Sequence, residues 1–285
     1  MKSIKKYKAF IKNYLLNKKS YQFLVKDWIE LKDMKLASQL LATTRFSRNV
    51  APILHSAIPN KKILVIAPHP DDEIFGAGGT LIQAIQAGSE VKTLYLTRGN
   101  AKSAAVVESE AQTVADKLGY KIEFMNYHAG QLPVDDDCVK QFSDIVSAYS
   151  PDILFIPFCL DDHDDHRRAS HILLLANKKY PFASEIEIWA YQVYTSIIPS
   201  VVVDITSVAR EKASAIRLWK SQMDKRDWVQ FSLGLNAHNV RYLPYNKPGG
   251  YAETFFVLPL PAYLELCSNY FLTDNNACYY NSAYL

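Results

Sequence analysis

Residues 61–81 read KKILVIAPHPDDEIFGAGGTL. An apolar run of strand length, ILVIA, stops at Pro68 and gives way at once to His69, Asp71, Asp72 and Glu73. Beyond them, apolar residues and glycines recur at helical spacing. A strand that is apolar at every position is one covered on both faces, as a parallel sheet between two helical layers requires. Polar residues crowded into the turn after such a strand stand where open parallel sheets bind their ligands. This stretch therefore decides the fold class and also says where to look for chemistry.

The pattern repeats along the chain. Strand-like runs EVKTLYLT (90–97), KIEFMNY (121–127), DILFIPF (152–158), EIEIWAY (185–191) and SVVVDI (200–205) follow the first. Helical patterns lie between them at 74–87, 104–118, 134–149 and 166–179, with a longer one at 207–223. Strand and helix in alternation predict an α/β protein with a Rossmann-like, doubly wound and mostly parallel sheet. The Pro/Gly/Asn-rich YLPYNKPGGYAET (242–254) reads as a loop leading into a late strand, FFVLP. No internal repeat and no low-complexity linker interrupts this plan.

The composition, 49% apolar and 21% charged over 285 residues, is that of an ordinary globular chain with room for one large domain and an appendage. The net charge of +3 conceals an asymmetry. Residues 1–60 hold 12 Lys/Arg against 3 Asp/Glu, and the remainder 20 against 26. In that first segment Ile4, Tyr7, Phe10, Ile11, Tyr14 and Leu15 recur at helical spacing, so residues 1–60 are expected to form two or three helices and an N-terminal extension to a domain spanning 61–285. The plainer reading packs its Tyr/Phe/Trp face on the main domain and leaves the lysines in water. The alternative is a basic surface for an anionic membrane, a lipid-linked substrate or a partner chain. No apolar run reaches the roughly 18–20 residues of a membrane span, and charges interrupt the start, MKSIKKYKAFIKNYLLNKK, before a signal-peptide core can form. A cytoplasmic protein, at most peripheral to the membrane, is expected, with no nucleic-acid partner. Cys138, Cys159, Cys267 and Cys278 make no CxxC pair and are read as reduced.

A second polar cluster, LDDHDDH (160–166), follows the strand DILFIPF. If the two strands are neighbours, the clusters meet at one sheet edge. Helix capping and the helix dipole account for one or two acids of HPDDE but not for His69 or for the second cluster. Metal ligation accounts for the residue types: imidazole and carboxylate are the usual N and O donors to a catalytic zinc, which keeps about three protein ligands and an open position. Two histidines and one carboxylate also suit Fe2+. FGAGGT lacks the GK[ST] ending of a P-loop and the dinucleotide-fingerprint register, so its glycines are assigned to close packing of the first helix. No GxSxG elbow is present.

ILVIAPHPDDEIFGAGGTL resembles the opening motif of the LmbE-like, or PIG-L, family of metal-dependent N-acetyl-sugar deacetylases, and HDDH (163–166) its His-x-Asp-His motif. The likeness runs through TRGN, ADKLGY and YAETF, over roughly residues 61–258. It implies that His69, Asp72 and His166 hold the metal, Asp71 is the general base, and His163 polarises the amide carbonyl or protonates the leaving amine. Asp165 is a candidate to orient one of the histidines. Family members often carry a substrate-gripping arginine near the second helix where this chain has Val107; Arg98 is a stand-in, and Glu253 resembles a position near the pocket. His128 and Cys159, close to the same edge, are read as a solvated loop residue and a core thiol.

The function these readings imply is hydrolytic removal of an acetyl group from an N-acetylated amino sugar, in a glycoconjugate, a nucleotide sugar or a lipid-linked sugar, through a zinc-activated water. An amidase acting on a thiol or antibiotic conjugate with the same metal site is the alternative, and a non-catalytic sugar-binding protein on the same fold is the alternative of another class. Glu73 is left to the first-turn dipole of the helix.

Overall fold

The computed structural model describes residues 52–99, 103–223, 226–245 and 247–271. The helices expected before residue 52 lie outside the described residues. Eight strands form one sheet: β1 (Ile53–His55), β2 (Lys62–Ala67), β3 (Glu90–Thr97), β4 (Lys121–Tyr127), β5 (Ile153–Pro157), β6 (Glu187–Tyr191), β7 (Val201–Asp204) and β8 (Ala252–Pro259). Their order is β1-β7-β8-β6-β5-β2-β3-β4. All pairings are parallel except those of β8, which runs antiparallel between β6 and β7. The helices are α1 (Asp72–Gln86), α2 (Ala104–Leu118), α3 (Asp136–Tyr149), α4 (Asp164–Lys179), α5 (Ala209–Ile216), α6 (Lys220–Met223), α7 (Trp228–Asn239) and α8 (Leu260–Phe271).

The continuous apolar strands are explained by two cores, one on each face. Leu64, Ile66, Leu94, Leu154 and Ile156 pack with residues of α3, α4 and α8, among them Phe142, Leu173 and Tyr263. Ile63, Val65, Tyr95 and Phe155 point the other way, with Leu81, Val114 and Ala213 of α1, α2 and α5. From β2 the chain winds outward through β3 to β4, then returns through α3 to β5 on the other side of β2. The gap between β2 and β5 is thus the topological switch point, where the sheet edge opens a crevice. Both polar clusters follow these two strands.

Helix α1 lies tight on the sheet. A Cβ on Gly76 would stand 2.2 Å from the Tyr191 ring, and one on Gly79 2.7 Å from Ile205. This agrees with the packing role expected for FGAGGT. Three local expectations are corrected. Residues 53–55, placed with the N-terminal helices, are a strand paired with Val201–Val203, so the sheet begins before residue 61. The long helix expected at 207–223 is a 3-10 turn followed by α5 and α6. The chain tightens where Leu218 N–H and Trp219 N–H donate to Ala215 and Ile216 carbonyls, a turn that buries the Trp219 ring completely. The loop expected at 242–254 gives way to β8 at Ala252.

Candidate metal centre

His69 and Asp71 are carried by the turn after β2 and Asp72 by the start of α1; Asp161 and His163 are carried by the turn after β5, and Asp165 and His166 by the first turn of α4. Three atoms converge: His69 Nδ1 lies 3.3 Å from Asp72 Oδ2, His166 Nε2 lies 3.1 Å from the same oxygen, and the two nitrogens are 3.3 Å apart. Donors held about 2.0–2.1 Å from a tetrahedral zinc stand about 3.3 Å from one another. The triangle therefore has the size of one face of a zinc site, which is the observation that tests whether these residues fit a metal. The ring nitrogens of His69, His163 and His166 also lie within 4.8 Å of one another, a looser set. His163 is further committed, because its Nδ1 accepts the Asp165 N–H at 3.1 Å and so caps α4.

Carboxylates stand behind both imidazoles of the triangle. His69 Nε2 is 2.9 Å from Asp165 Oδ2, so Asp165 orients His69. Its oxygens also accept Gly130 N–H at 2.5 Å and Leu132 N–H at 3.2 Å, tying in the loop after β4. Asp161 Oδ1 lies 3.0 Å from His166 Nδ1, a close but bent ionic contact outside good hydrogen-bond geometry. Asp161 also accepts His163, Tyr194 and Thr195 N–H groups, joining the loop after β6 to the site. The buried Arg167 latches the turn by donating to the Asp161 and Asp162 carbonyls at 2.6 and 2.8 Å.

This surplus of negative charge is visible in the protonation equilibria. Burial opposes a charge on His166, but Asp72 and Asp161 outweigh it and carry its pKa up to about 10. Burial opposes a charge on His69 too, and hydrogen bonds to Asp165 and Asp72 raise its pKa nonetheless. Asp72 and Asp161 are held well below the usual carboxylate range against their burial, chiefly by His166, and Asp165, again against its burial, is held at about 2 by His69. The pocket holds a proton where a doubly charged cation would be welcome. His163 is the exception: burial and the neighbouring His166 and His69 lower it to about 4, so its ring is neutral. With Nδ1 accepting, the proton of that neutral ring is on Nε2.

Asp71 occupies the N-cap position of α1 with φ 113 and ψ −23, and its side chain makes no capping bond. Simple helix capping therefore does not explain it. Tyr194, 41% exposed, lays its ring over His166 and His163 at centroid separations of 5.5 and 6.2 Å, each inclined by 26°. Trp228 stands edge-on to Tyr194 at 6.5 Å, with Arg226 5.0 Å above the Trp228 ring.

Of the two expected substrate contacts, Glu253 is placed differently. Glu253 is wholly buried behind α1, where Oε1 accepts Gly79 N–H and the Lys212 ammonium, each at 2.8 Å, and Oε2 accepts Thr80 N–H and its hydroxyl at 2.7 and 2.6 Å. Its oxygens are fully used by the protein, which corrects the expectation that it meets substrate. Arg98 is half-exposed, 3.8 Å from Glu108 of α2. His128 is exposed and Cys159 buried, as read from the sequence. Asp161, Arg167 and Tyr194 were not singled out; Asp161 belongs to the quoted LDDHDDH, but spacing alone does not separate its four acids.

The family model described as PIG-L, GlcNAc-PI de-N-acetylase, matches residues 64–177, the span holding both clusters. Over that span the chain is similar to the PIG-L, or LmbE-like, family. The chain is 28% identical over 234 residues to the diacetylchitobiose deacetylase of Thermococcus kodakarensis, covering 73% of this chain and 86% of that one. It is similar in structure to the N,N'-diacetylchitobiose deacetylase of Pyrococcus horikoshii, solved with an inhibitor, at 25% identity and a TM-score of 0.60 over 87% of this chain and 94% of that one. A conserved protein of Thermus thermophilus has the same TM-score of 0.60 at 26% identity, over 70% of this chain and 95% of that one.

Proposed function

We propose that this protein hydrolyses the acetamide of an N-acetylated amino sugar at a divalent cation, zinc in the first instance, held by His69, Asp72 and His166. The observation that carries this reading is the donor triangle with edges of 3.1–3.3 Å. Its similarity to deacetylases of diacetylchitobiose supports the sugar amide as substrate. When bound, the cation supplies Lewis acidity, lowering the pKa of a water from about 15.7 towards about 7 and polarising the amide oxygen.

The protein's own groups supply the rest. Asp71, beside the triangle, takes a proton from the attacking water as its oxygen bonds to the acetyl carbon. His163, neutral and carrying its proton on Nε2, donates a hydrogen bond to the developing oxyanion, a contribution typically worth about 3–4 kcal/mol per donor. The C–N bond then breaks and the proton held by Asp71 passes to the departing nitrogen, so acetate and a free amine leave. Asp165 and Asp161 keep the two imidazoles turned so that His69 Nδ1 and His166 Nε2 face the cation.

Acetate release across a panel of N-acetylglucosamine, N,N'-diacetylchitobiose, nucleotide sugars and lipid-linked sugars tests the reading, with metal analysis of the same preparation. One divalent ion per chain and turnover of at least one panel member are expected, and Asp71→Asn is expected to cut release to a trace residual rate with the metal retained. A protein that stays metal-free after supplementation, or an Asp71→Asn variant of full activity, overturns it.

A further inference from the structure

Glu73 is the one member of HPDDE that the proposed chemistry leaves unused, yet its side chain is completely buried. A first-turn glutamate serving only the helix dipole has no need to leave water, since the dipole already favours an exposed carboxylate. Burying a carboxyl group is costly unless hydrogen bonds compensate. Here they do so in part: Tyr120 Oη donates to Oε1 at 3.0 Å and the backbone N–H of Asp71 donates to Oε2 at 3.2 Å, while burial still pushes the Glu73 carboxyl up to about 7.

The second bond falls on a strained residue. Asp71 adopts φ 113, a region that side chains other than glycine's rarely enter. Its carbonyl is held by Ile74 N–H and Phe75 N–H, each at 3.1 Å, so the first turn of α1 fixes one side of the residue. Glu73 fixes the other. The direction in which the Asp71 side chain leaves the backbone is set by that φ, and with it where the carboxylate lies relative to Asp72, the next residue and one corner of the donor triangle.

We propose that Glu73 is a positioning residue for Asp71: through the Asp71 N–H it holds the backbone conformation that aims the Asp71 carboxylate at the water, and Tyr120 holds Glu73 in turn. The proposal rests on Asp71 being the proton acceptor. Misplacement of a catalytic group by about 1 Å can cost on the order of 100-fold in rate, so the effect falls on kcat and spares substrate binding.

The test compares Glu73→Gln, Glu73→Leu, Tyr120→Phe and Asp71→Asn, with N-acetylglucosamine or the panel member turned over best as substrate. Glu73→Gln retains a carbonyl oxygen for the Asp71 N–H and is expected within about threefold of the parent. Glu73→Leu, similar in volume but without an acceptor, is expected to lose about 10–100-fold in kcat with KM within twofold and one metal per chain. Because it acts through Asp71, adding Glu73→Leu to Asp71→Asn is expected to slow the residual rate no further. A Glu73→Leu enzyme of parental kcat overturns the proposal, as does a loss that multiplies in the double variant or that follows loss of metal. If Glu73→Leu does not fold, Tyr120→Phe decides: a lower kcat at unchanged KM and metal content supports the proposal, and an unchanged kcat overturns it. Full activity of Asp71→Asn instead refutes the underlying assignment, which separates the two failures.

Discussion

The Lys212–Glu253 pair offers a prediction whose size can be worked from its partners. Both side chains are completely buried, and the Lys212 ammonium donates to Phe75 O, Asn236 Oδ1 and Glu253 Oε1 at 2.8–2.9 Å. Each oxygen of Glu253 serves two donors. In Glu253→Gln one oxygen becomes an NH2 group: turned towards Thr80 it can donate to the hydroxyl but faces the Thr80 N–H, and turned the other way it faces both the Gly79 N–H and the Lys212 ammonium. Each buried group left unsatisfied costs about 1–3 kcal/mol, and breaking a buried ion pair on one side costs about 3–5 kcal/mol. These are overlapping accounts of one defect, and about 3–5 kcal/mol is the expected loss. Chemical denaturation of parent and variant at pH 7.5 measures it. The double variant Lys212→Met/Glu253→Gln should recover part of the loss, since it removes the stranded charge. KM in the folded variant should stay within twofold, because Glu253 touches protein and not substrate. A loss below about 1 kcal/mol, or a large rise in KM at parental stability, refutes the reasoning.

Three further outcomes follow from the site and its surroundings. Asp165→Asn, which keeps the shape but removes the charge behind His69, should weaken zinc binding about 10–100-fold in a chelator competition; unchanged affinity would remove Asp165 from the metal site. Tyr194→Ala should raise KM about 3–10-fold with kcat little changed, the range for loss of one aromatic packing contact; an unaltered KM would show that the exposed ring does not meet substrate. His171, stacked on Phe271 at 4.7 Å, has its pKa lowered by burial to about 4. Its unfolded value is near 6.5, so its folded and unfolded states are both neutral at higher pH, and between pH 6.5 and 4 only the unfolded chain gains the proton. Stability should therefore fall on acidification through that window, by about 1–2 kcal/mol from pH 7.5 to 5 once partial exposure is allowed for. The difference between the parent and His171→Phe isolates this contribution from other titrating groups, and identical pH dependence in the two would contradict it.

What could be read from the sequence was what depends on local pattern. The apolar runs located seven of the eight strands because burial on both faces leaves no alternation to confuse with a helix. Residues 53–55 escaped because three residues carry almost no periodicity, and only Val201–Val203, far along the chain, make them a strand. The antiparallel course of β8 escaped for a related reason, since FFVLP looks alike in either direction. At the site, the His and Asp types announced a metal, whereas the partner of Asp165 could be assigned only once Asp165 Oδ2 was seen 2.9 Å from His69 Nε2. Glu253 misled because YAETF looks like a pocket segment, and nothing local reveals that Lys212 of α5 waits behind it. Among the described residues no helix is long and apolar enough to cross a membrane.

The placement of β8 has a consequence for the order in which the molecule can be completed. The strands that carry both motifs, β2 and β5, together with β3, β4 and β6, are contiguous in the sheet and are all synthesised by Tyr191. Within the sheet, β1 and β7 are hydrogen-bonded to that body only through Ala252–Pro259. Until those residues leave the ribosome, β6 presents an open edge of unpaired N–H and C=O groups, the kind of edge that recruits foreign strands. Both polar motifs are thus synthesised before the strand that covers the β6 edge, and it is β8, arriving from the C-terminal side, that joins two separate ribbons into one sheet.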